Sequence, residues 1–255
     1  MHMLRHKKNG IEWLEFELLA DCKGLQHGTI LRQGGFSSGS FSSLNLGLYS
    51  TQDEHLAIAQ NLEKVQSTHQ LPSIHVAKQC HGDHIWHIKD ANASPQEADM
   101  LVTNLSEQAL FVMHADCQAV IMFDPITQAL ANVHVGWRGN VQNILQKATR
   151  YLQTTFGTKP ENLLVGISPS LGPENAEFKH FQTELPSHFW DFQIRPLYFD
   201  LWSISQMQLK ACGVLPHHIE IAKMNTYSLS LDFFSYRRDG ITGRNGTFAM
   251  LAKKI

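Results

Sequence analysis

Two hydrophobic periods interleave along the chain. Six short stretches rich in Val, Ile, Met and Phe, at 73–78, 84–88, 99–103, 109–113, 118–123 and 129–135, predict a dense run of strands. Ahead of them, 29–32 predicts a short strand running into a Gly- and Ser-rich loop at 34–43. Residues 53–67 predict a helix with Leu56, Ala59, Leu62 and Val65 on one face. The strongest helical period follows the strands. Val141, Ile144, Leu145, Ala148 and Leu152 keep the i, i+3, i+4, i+7 spacing, with Gly157 as the stop. A strand at 163–167 and a Pro-containing turn region lead to a second helix, with Asp200 as N-cap, Leu201, Ile204 and Leu209 on its face, and Gly213 as its end. Stretches 219–221, 233–236 and 247–251 predict strands that close the sheet. No repeat or long linker interrupts the alternation. The prediction is therefore an α/β fold: a single domain over 1–255, built of layered mixed sheet and helices.

Composition narrows the function classes. The 255 residues are 43% hydrophobic and 17% charged, which fits a folded domain and not a disordered polymer. The longest apolar runs are about five residues, against roughly 20 needed to span a bilayer. The basic start has no apolar stretch behind it, so no signal peptide and a cytoplasmic location are expected. A net charge of −2 gives no whole-molecule attraction to nucleic acid or to an anionic membrane. The four cysteines include no Cys-x-x-Cys pair and are expected to be free thiols.

Three segments place reactive side chains beside glycine or another polar residue at predicted strand ends: 79–82, 114–117 and 134–139. His81 and Cys117 are 117 − 81 = 36 residues apart, and Cys117 and His134 are 134 − 117 = 17 apart, too far for a local zinc knuckle. A shared site must be assembled by the tertiary fold. One thiolate and two imidazoles suit Zn²⁺, and three protein ligands leave a fourth position open, which brings the pKa of a bound water toward ~7. The same residues support a second chemistry, a Cys117–His134 nucleophile–base dyad. His81 favours the metal, because a dyad has no need of a third residue.

His134 and the Gly136–Gly139 turn lead into the predicted helix, so Arg138 and the helix start after Gly139 form a candidate anion site. The stretch 233–244 carries three arginines and two glycines and is a candidate substrate-gripping loop, with Arg237 within it. Gly34-Gly35 lacks a following Lys-Ser/Thr, so it is not a nucleotide phosphate loop. His84 and His87 are expected at the surface of a strand.

Taken in order, these segments resemble one family over nearly the whole chain. They are Arg32-Gln-Gly-Gly35 with Ser42-Ser-Leu-Asn-Leu-Gly47, Asn61, Gln79-Cys-His-Gly82, Ala98-Asp-Met-Leu-Val-Thr103, Ala115-Asp-Cys117, His134-Val-Gly-Trp-Arg-Gly139 and Phe234-Ser-Tyr-Arg-Arg238. The family is that of the laccase-like proteins once labelled multicopper polyphenol oxidases and now described as purine nucleoside phosphorylases with adenosine deaminase activity. It includes a human macrophage laccase-domain protein. The resemblance implies a laccase-like purine nucleoside phosphorylase fold and a metal site, zinc with copper as the other candidate, on His81, Cys117 and His134. It also implies purine nucleoside and phosphate as partners, with adenosine, inosine, guanosine or methylthioadenosine as substrates. Within that frame Asp116 is the candidate proton shuttle for deamination, while Arg32, Gln79, Arg138 and Arg237 are candidates for substrate or phosphate binding. Ser168, Asn225 and Leu62 depart from the family's usual Gly, Cys and Arg.

Three other functions compete. Polyphenol oxidation at several copper ions needs His-x-His pairs, and the chain has none. A cysteine hydrolase or amidase would use Cys117 and His134 without metal. A metal-binding partner protein would bind zinc or purine without turnover.

Overall fold

A computed structural model describes residues 3–49 and 52–253. Its strands are β1 (Leu4–Lys8), β2 (Ile11–Glu15), β3 (Leu25–Ile30), β4 (Ser73–Val76), β5 (Ile85–His87), β6 (Met100–Thr103), β7 (Gln108–His114), β8 (Gln118–Asp124), β9 (Ala129–Val135), β10 (Leu164–Ile167), β11 (Gln193–Arg195), β12 (Tyr198–Phe199), β13 (Ile219–Ile221) and β14 (Asn245–Leu251). Its helices are α1 (Glu17–Ala20), α2 (His55–His69), α3 (Trp137–Val141), α4 (Ile144–Phe156), α5 (Phe181–Glu184), α6 (Leu201–Ala211) and α7 (Tyr236–Asp239).

The strands form two mixed six-stranded sheets, ordered β1-β2-β3-β14-β7-β4 and β13-β10-β8-β9-β6-β5, and β11 pairs with β12 apart from them. Period-two alternation in continuous apolar strands explains the layering, because side chains i and i+2 share a face. In β7, Leu110 and Val112 point between the sheets, whereas Ala109, Phe111 and Met113 join Val65 of α2 on the outer face. In β8, Ala119, Ile121 and Phe123 point between the sheets, and Val120 and Met122 pack with Leu145, Ala148 and Leu152 of α4. Four layers result: α2, first sheet, second sheet, then α4 with α6. Both faces of the central strands are covered, so all seven residues of β7, of β8 and of β9 are buried. Asn132 in β9 crosses between the sheets, donating to the carbonyls of Leu110 and Thr247 at 2.9 Å each.

Several predicted elements shift. The helix at 55–69 buries Ala57, Ile58, Asn61, Val65, Thr68 and His69, so the predicted stripe holds only in part: Val65 is buried and Leu62 packs against the core, but Leu56, 70% exposed, and Ala59 face outward. Its polar hub explains the rotation. Asn61 lies fully buried, accepts from the amide of Phe36 at 2.8 Å, and donates to Ser37 Oγ at 3.0 Å and to the Asn45 carbonyl at 2.9 Å. It thereby fastens the 34–45 loop to α2, and Gly35 has no room for a Cβ, which would sit 2.4 Å from the Ser43 carbonyl oxygen. Replacing Asn61 with Ala removes all three bonds from the buried centre of this hub, and should destabilise the fold by about 2–4 kcal/mol. Denaturant unfolding measures this; a loss within experimental error of zero would contradict the assignment.

The helix predicted from 141 to 157 is broken. Asn143 takes a left-handed conformation (φ 53°) between α3 and α4, and Val141 is 39% exposed. Residues 233–236 form no strand; Phe233 and Phe234 are buried in a loop, and Tyr236 begins α7. His87 is half-buried rather than on the surface, with Nδ1 3.1 Å from the Tyr151 hydroxyl. The early strand lies at Leu25–Ile30 instead of 29–32.

Candidate metal centre and substrate pocket

Antiparallel pairing of β8 with β9 sets Ala119 opposite His134 and Gln118 opposite Val135, so Cys117, just ahead of β8, lies beside the end of β9. The loop between β4 and β5 brings His81 to the same point. Ligand atoms of His81, Cys117 and His134 lie within 4.8 Å of one another, with Cys117 Sγ 4.0 Å from His81 Nε2. The imidazoles of His81 and His134 meet edge to face at 4.9 Å between centroids. Gly136 keeps the centre clear. A Cβ there would stand 3.1 Å from Cys117 Sγ and 3.3 Å from His81 Cδ2.

Asp99 organises the two histidines. It is fully buried directly ahead of β6, and its Oδ1 stands 2.8 Å from His134 Nδ1, which fixes the tautomer and leaves Nε2 for the centre. The same carboxylate accepts the amides of His81 at 3.1 Å and Gly82 at 2.7 Å, and the Cys80 thiol at 3.1 Å. These bonds hold the 80–82 loop, in which His81 is left-handed (φ 60°). Burial acts to raise the Asp99 carboxyl, but the hydrogen bond and charge of His134, with those of the loop, outweigh it and hold it down at about 2.

The donor set fits a single zinc-class ion: one thiolate, two imidazoles, one of them oriented by a buried carboxylate, and an open side toward a cavity. In the protein without metal, burial acts to raise the Cys117 thiol, but the charge of His134 and hydrogen bonds from His134 and His81 bring it down to about 6. The paired imidazole of His134 moves upward, because Cys117 and Asp99 outweigh its burial. Both shifts favour a thiolate–imidazolium pair in the metal-free centre. Cys80 behaves oppositely: burial and the Asp99 carboxylate push its thiol up to about 11. Alkylation of the chelator-stripped protein should show this contrast. Cys117 labelling should rise through about pH 6 and level off by neutrality, whereas Cys80 labelling keeps climbing in alkali, and added zinc should protect Cys117. Peptide mass spectrometry across pH checks it; Cys117 titrating no earlier than an ordinary thiol would contradict the geometry.

A cavity of about 370 Å³ opens over the centre, within the range of small-molecule sites. His81, Cys117 and His134 line it together with Gln79, Asp116, Arg138 and Arg237. Asp116 is held by the Thr226 hydroxyl at 2.7 Å and by the Arg237 amide at 2.6 Å. Gln79 is paired in both directions with the backbone of Met113, at 2.8 Å each way, which ties the β4–β5 loop to the end of β7. Arg138 is exposed at the cavity, its guanidinium 4.4 Å from the centre of the Trp137 ring. The helix begins at Trp137 and not after Gly139, which is buried inside the five-residue α3, so no helix start after Gly139 accompanies Arg138. Arg237 reaches along the wall to the carbonyl of Glu177 at 3.0 Å.

Arg32 stands elsewhere. It donates to the carbonyls of Ser42 at 2.8 Å and Ser230 at 3.0 Å, stacks over Phe234, and lines a separate polar depression. Neither Ser168 nor Asn225 lines the cavity. Ser168 Oγ accepts the Ala119 amide at 2.9 Å, Asn225 Oδ1 accepts the Gly172 amide at 3.0 Å, and Leu62 packs beside α2's core. The cavity also gains Tyr49, Trp137 and Phe178, which the sequence did not single out for it, and Tyr236 and Arg244 from the 233–244 stretch expected to grip substrate. Trp137 packs edge to face on Phe178 at 5.9 Å, making an aromatic wall. Arg244 belonged to the basic 233–244 stretch, so charge density was its one signal.

Fold and site together define an α/β protein whose polar–aromatic pocket carries a donor set able to hold a metal ion, and residues 26–252 match the family described as multi-copper polyphenol oxidoreductase laccase. The chain belongs to that family. It is 29% identical over 247 residues to a protein of Bacteroides thetaiotaomicron named purine nucleoside phosphorylase, covering 89% of this chain and 92% of that one. It is 28% identical to the Escherichia coli purine nucleoside phosphorylase YfiH, over 90% of this chain and 95% of that one. The crystal structure of YlmD from Geobacillus stearothermophilus superposes with a TM-score of 0.88 at 25% identity, over 99% of this chain and 100% of that chain. No helix among the described residues is long and apolar enough to cross a membrane.

Proposed function

We propose that this chain is a zinc-dependent purine nucleoside phosphorylase acting on adenosine, inosine, guanosine or methylthioadenosine, and that the same pocket deaminates adenosine. One observation carries this reading: an aromatic wall, several arginines and a three-donor metal centre line a single cavity. The relatives' names point the same way. A flat purine needs π-faces, which Tyr49, Trp137, Phe178 and Tyr236 offer. A phosphate needs guanidinium donors, offered by Arg138, Arg237 and Arg244.

In phosphorolysis an oxygen of phosphate forms the bond to C1′ of the ribose as the C1′–N bond to the base breaks, and the departing base takes that electron pair and then a proton. Arg138 holds the phosphate and Arg237 flanks it. Asp116, the carboxylate fixed by Thr226 and the Arg237 amide, exchanges the proton with the base or its amino group. Bound on His81, Cys117 and His134, zinc supplies Lewis-acid activation of water near neutral pH, which is the chemistry deamination requires. Hydrolysis of adenosine to inosine and ammonia is the second reading, and the metal centre favours it because phosphorolysis consumes no water. A three-donor set holds one ion, which supports these reactions over oxidation at a copper cluster.

Arg138→Ala should separate the two activities. Loss of a charged hydrogen bond to phosphate should lower kcat/KM for phosphorolysis about 10- to 100-fold, with deamination changed far less. Phosphate-dependent base release and inosine formation, measured on one preparation, test it. Equal loss of both would remove Arg138 from phosphate binding.

A further inference from the structure

A second set of metal donors lies outside the pocket. Sγ of Cys80, the imidazole of His84 and the carboxylate of Glu97 offer ligand atoms within 4.8 Å of one another, and all three residues are exposed. Their backbone is stitched in place. Lys78 pairs with Glu97 in a parallel bridge, and the amide of Lys78 donates to the Gln96 carbonyl at 2.9 Å. The carbonyl of His84 accepts the amides of Asp99 at 3.2 Å and Met100 at 3.1 Å. Between Cys80 and His84, Asp83 forms an ion pair with Lys147 of α4, which anchors the loop from its other side. Among the described residues, neither the His84 ring nor the Glu97 carboxylate makes a hydrogen bond or ion pair, so both are available to an ion.

We propose that Cys80, His84 and Glu97 form a second, solvent-open site for a zinc-class divalent cation, one residue along the chain from His81. A thiolate, an imidazole and a carboxylate are a borderline-soft set that suits Zn²⁺ or Co²⁺ and disfavours Mg²⁺ and Ca²⁺, which take oxygen ligands. Water completes the coordination on the exposed side. Binding releases the Cys80 thiol proton to solvent and turns its sulfur lone pair to the ion. Asp99 then keeps the Gly82 amide at 2.7 Å and the His81 amide at 3.1 Å as donors, along with His134. The inner centre therefore retains its own ligands and its orienting carboxylate when the outer site fills.

Titration of the chelator-stripped full chain with Co²⁺, read by the sulfur-to-cobalt charge-transfer absorption and by equilibrium dialysis, decides the matter. The intact protein should take up two equivalents, each with a thiolate signal. His84→Ala and Cys80→Ser should each take up one, with the inner signal intact. Cys117→Ser should lose the inner signal and keep the outer one. His84 is exposed, so its replacement leaves the fold in place, and circular dichroism confirms that. Uptake limited to one equivalent in the intact protein would overturn the proposal. So would a second equivalent that survives in both His84→Ala and Cys80→Ser, which would place it elsewhere on this histidine-rich surface.

Discussion

His81→Asn should strip the metal from the protein and abolish both phosphorolysis and deamination together, each by more than about 100-fold. Outer-sphere partners of a metal ligand already cost about 10- to 100-fold when lost, and a direct ligand costs more. Asn is the informative replacement because position 81 has φ 60°, a conformation Asn adopts more readily than most residues. The side chain is exposed, so the fold should survive. Metal content by mass spectrometry and activity on one sample would check the coupling. A Cys117–His134 hydrolase predicts the opposite: full activity without metal, because those two residues remain. Retained metal at full occupancy would remove His81 from the centre.

The second large effect is expected at Asp99. Asp99→Asn puts an NH₂ group where the carboxylate now accepts the His134 ring, the amides of His81 and Gly82, and the Cys80 thiol. At least one donor then faces another donor inside the protein. Metal affinity should fall about 10- to 100-fold, and stability should fall by about 1–3 kcal/mol for each buried group left unpaired. Competition with a chromophoric chelator gives the affinity, and thermal unfolding of the stripped protein gives the stability. Loss of stability with unchanged affinity would make Asp99 purely a loop anchor. Unchanged values of both would contradict its placement altogether.

Much of the fold is legible in the sequence for a simple reason. In 109–113, 118–123 and 129–135 both strand faces are buried, so nearly every residue is apolar, and structure and pattern agree. The helix at 144–156 shows a clear stripe because only one of its faces meets the sheet. Where a buried polar group replaces an apolar one, the pattern misleads. Asn61 occupies the centre of the buried face of α2, while Leu56 is left outside, and hydrophobicity alone points to the wrong side. Phe233 and Phe234 look like strand residues, yet they are buried as anchors of a loop. The three donors could be grouped by their chemistry, while Asp99 was hidden within the apolar run that begins β6. The aromatic wall escaped because Tyr49, Trp137, Phe178 and Tyr236 come from segments distant in sequence, which only the tertiary fold brings together.

Products formed from adenosine by protein of known zinc content, with and without phosphate, decide whether this pocket houses a zinc-dependent purine nucleoside phosphorylase and deaminase. Adenine should appear only with phosphate, inosine should appear without it, and both should be lost in His81→Asn. Turnover that persists unchanged after the metal is removed, or no turnover of any purine nucleoside at full zinc occupancy, would contradict it.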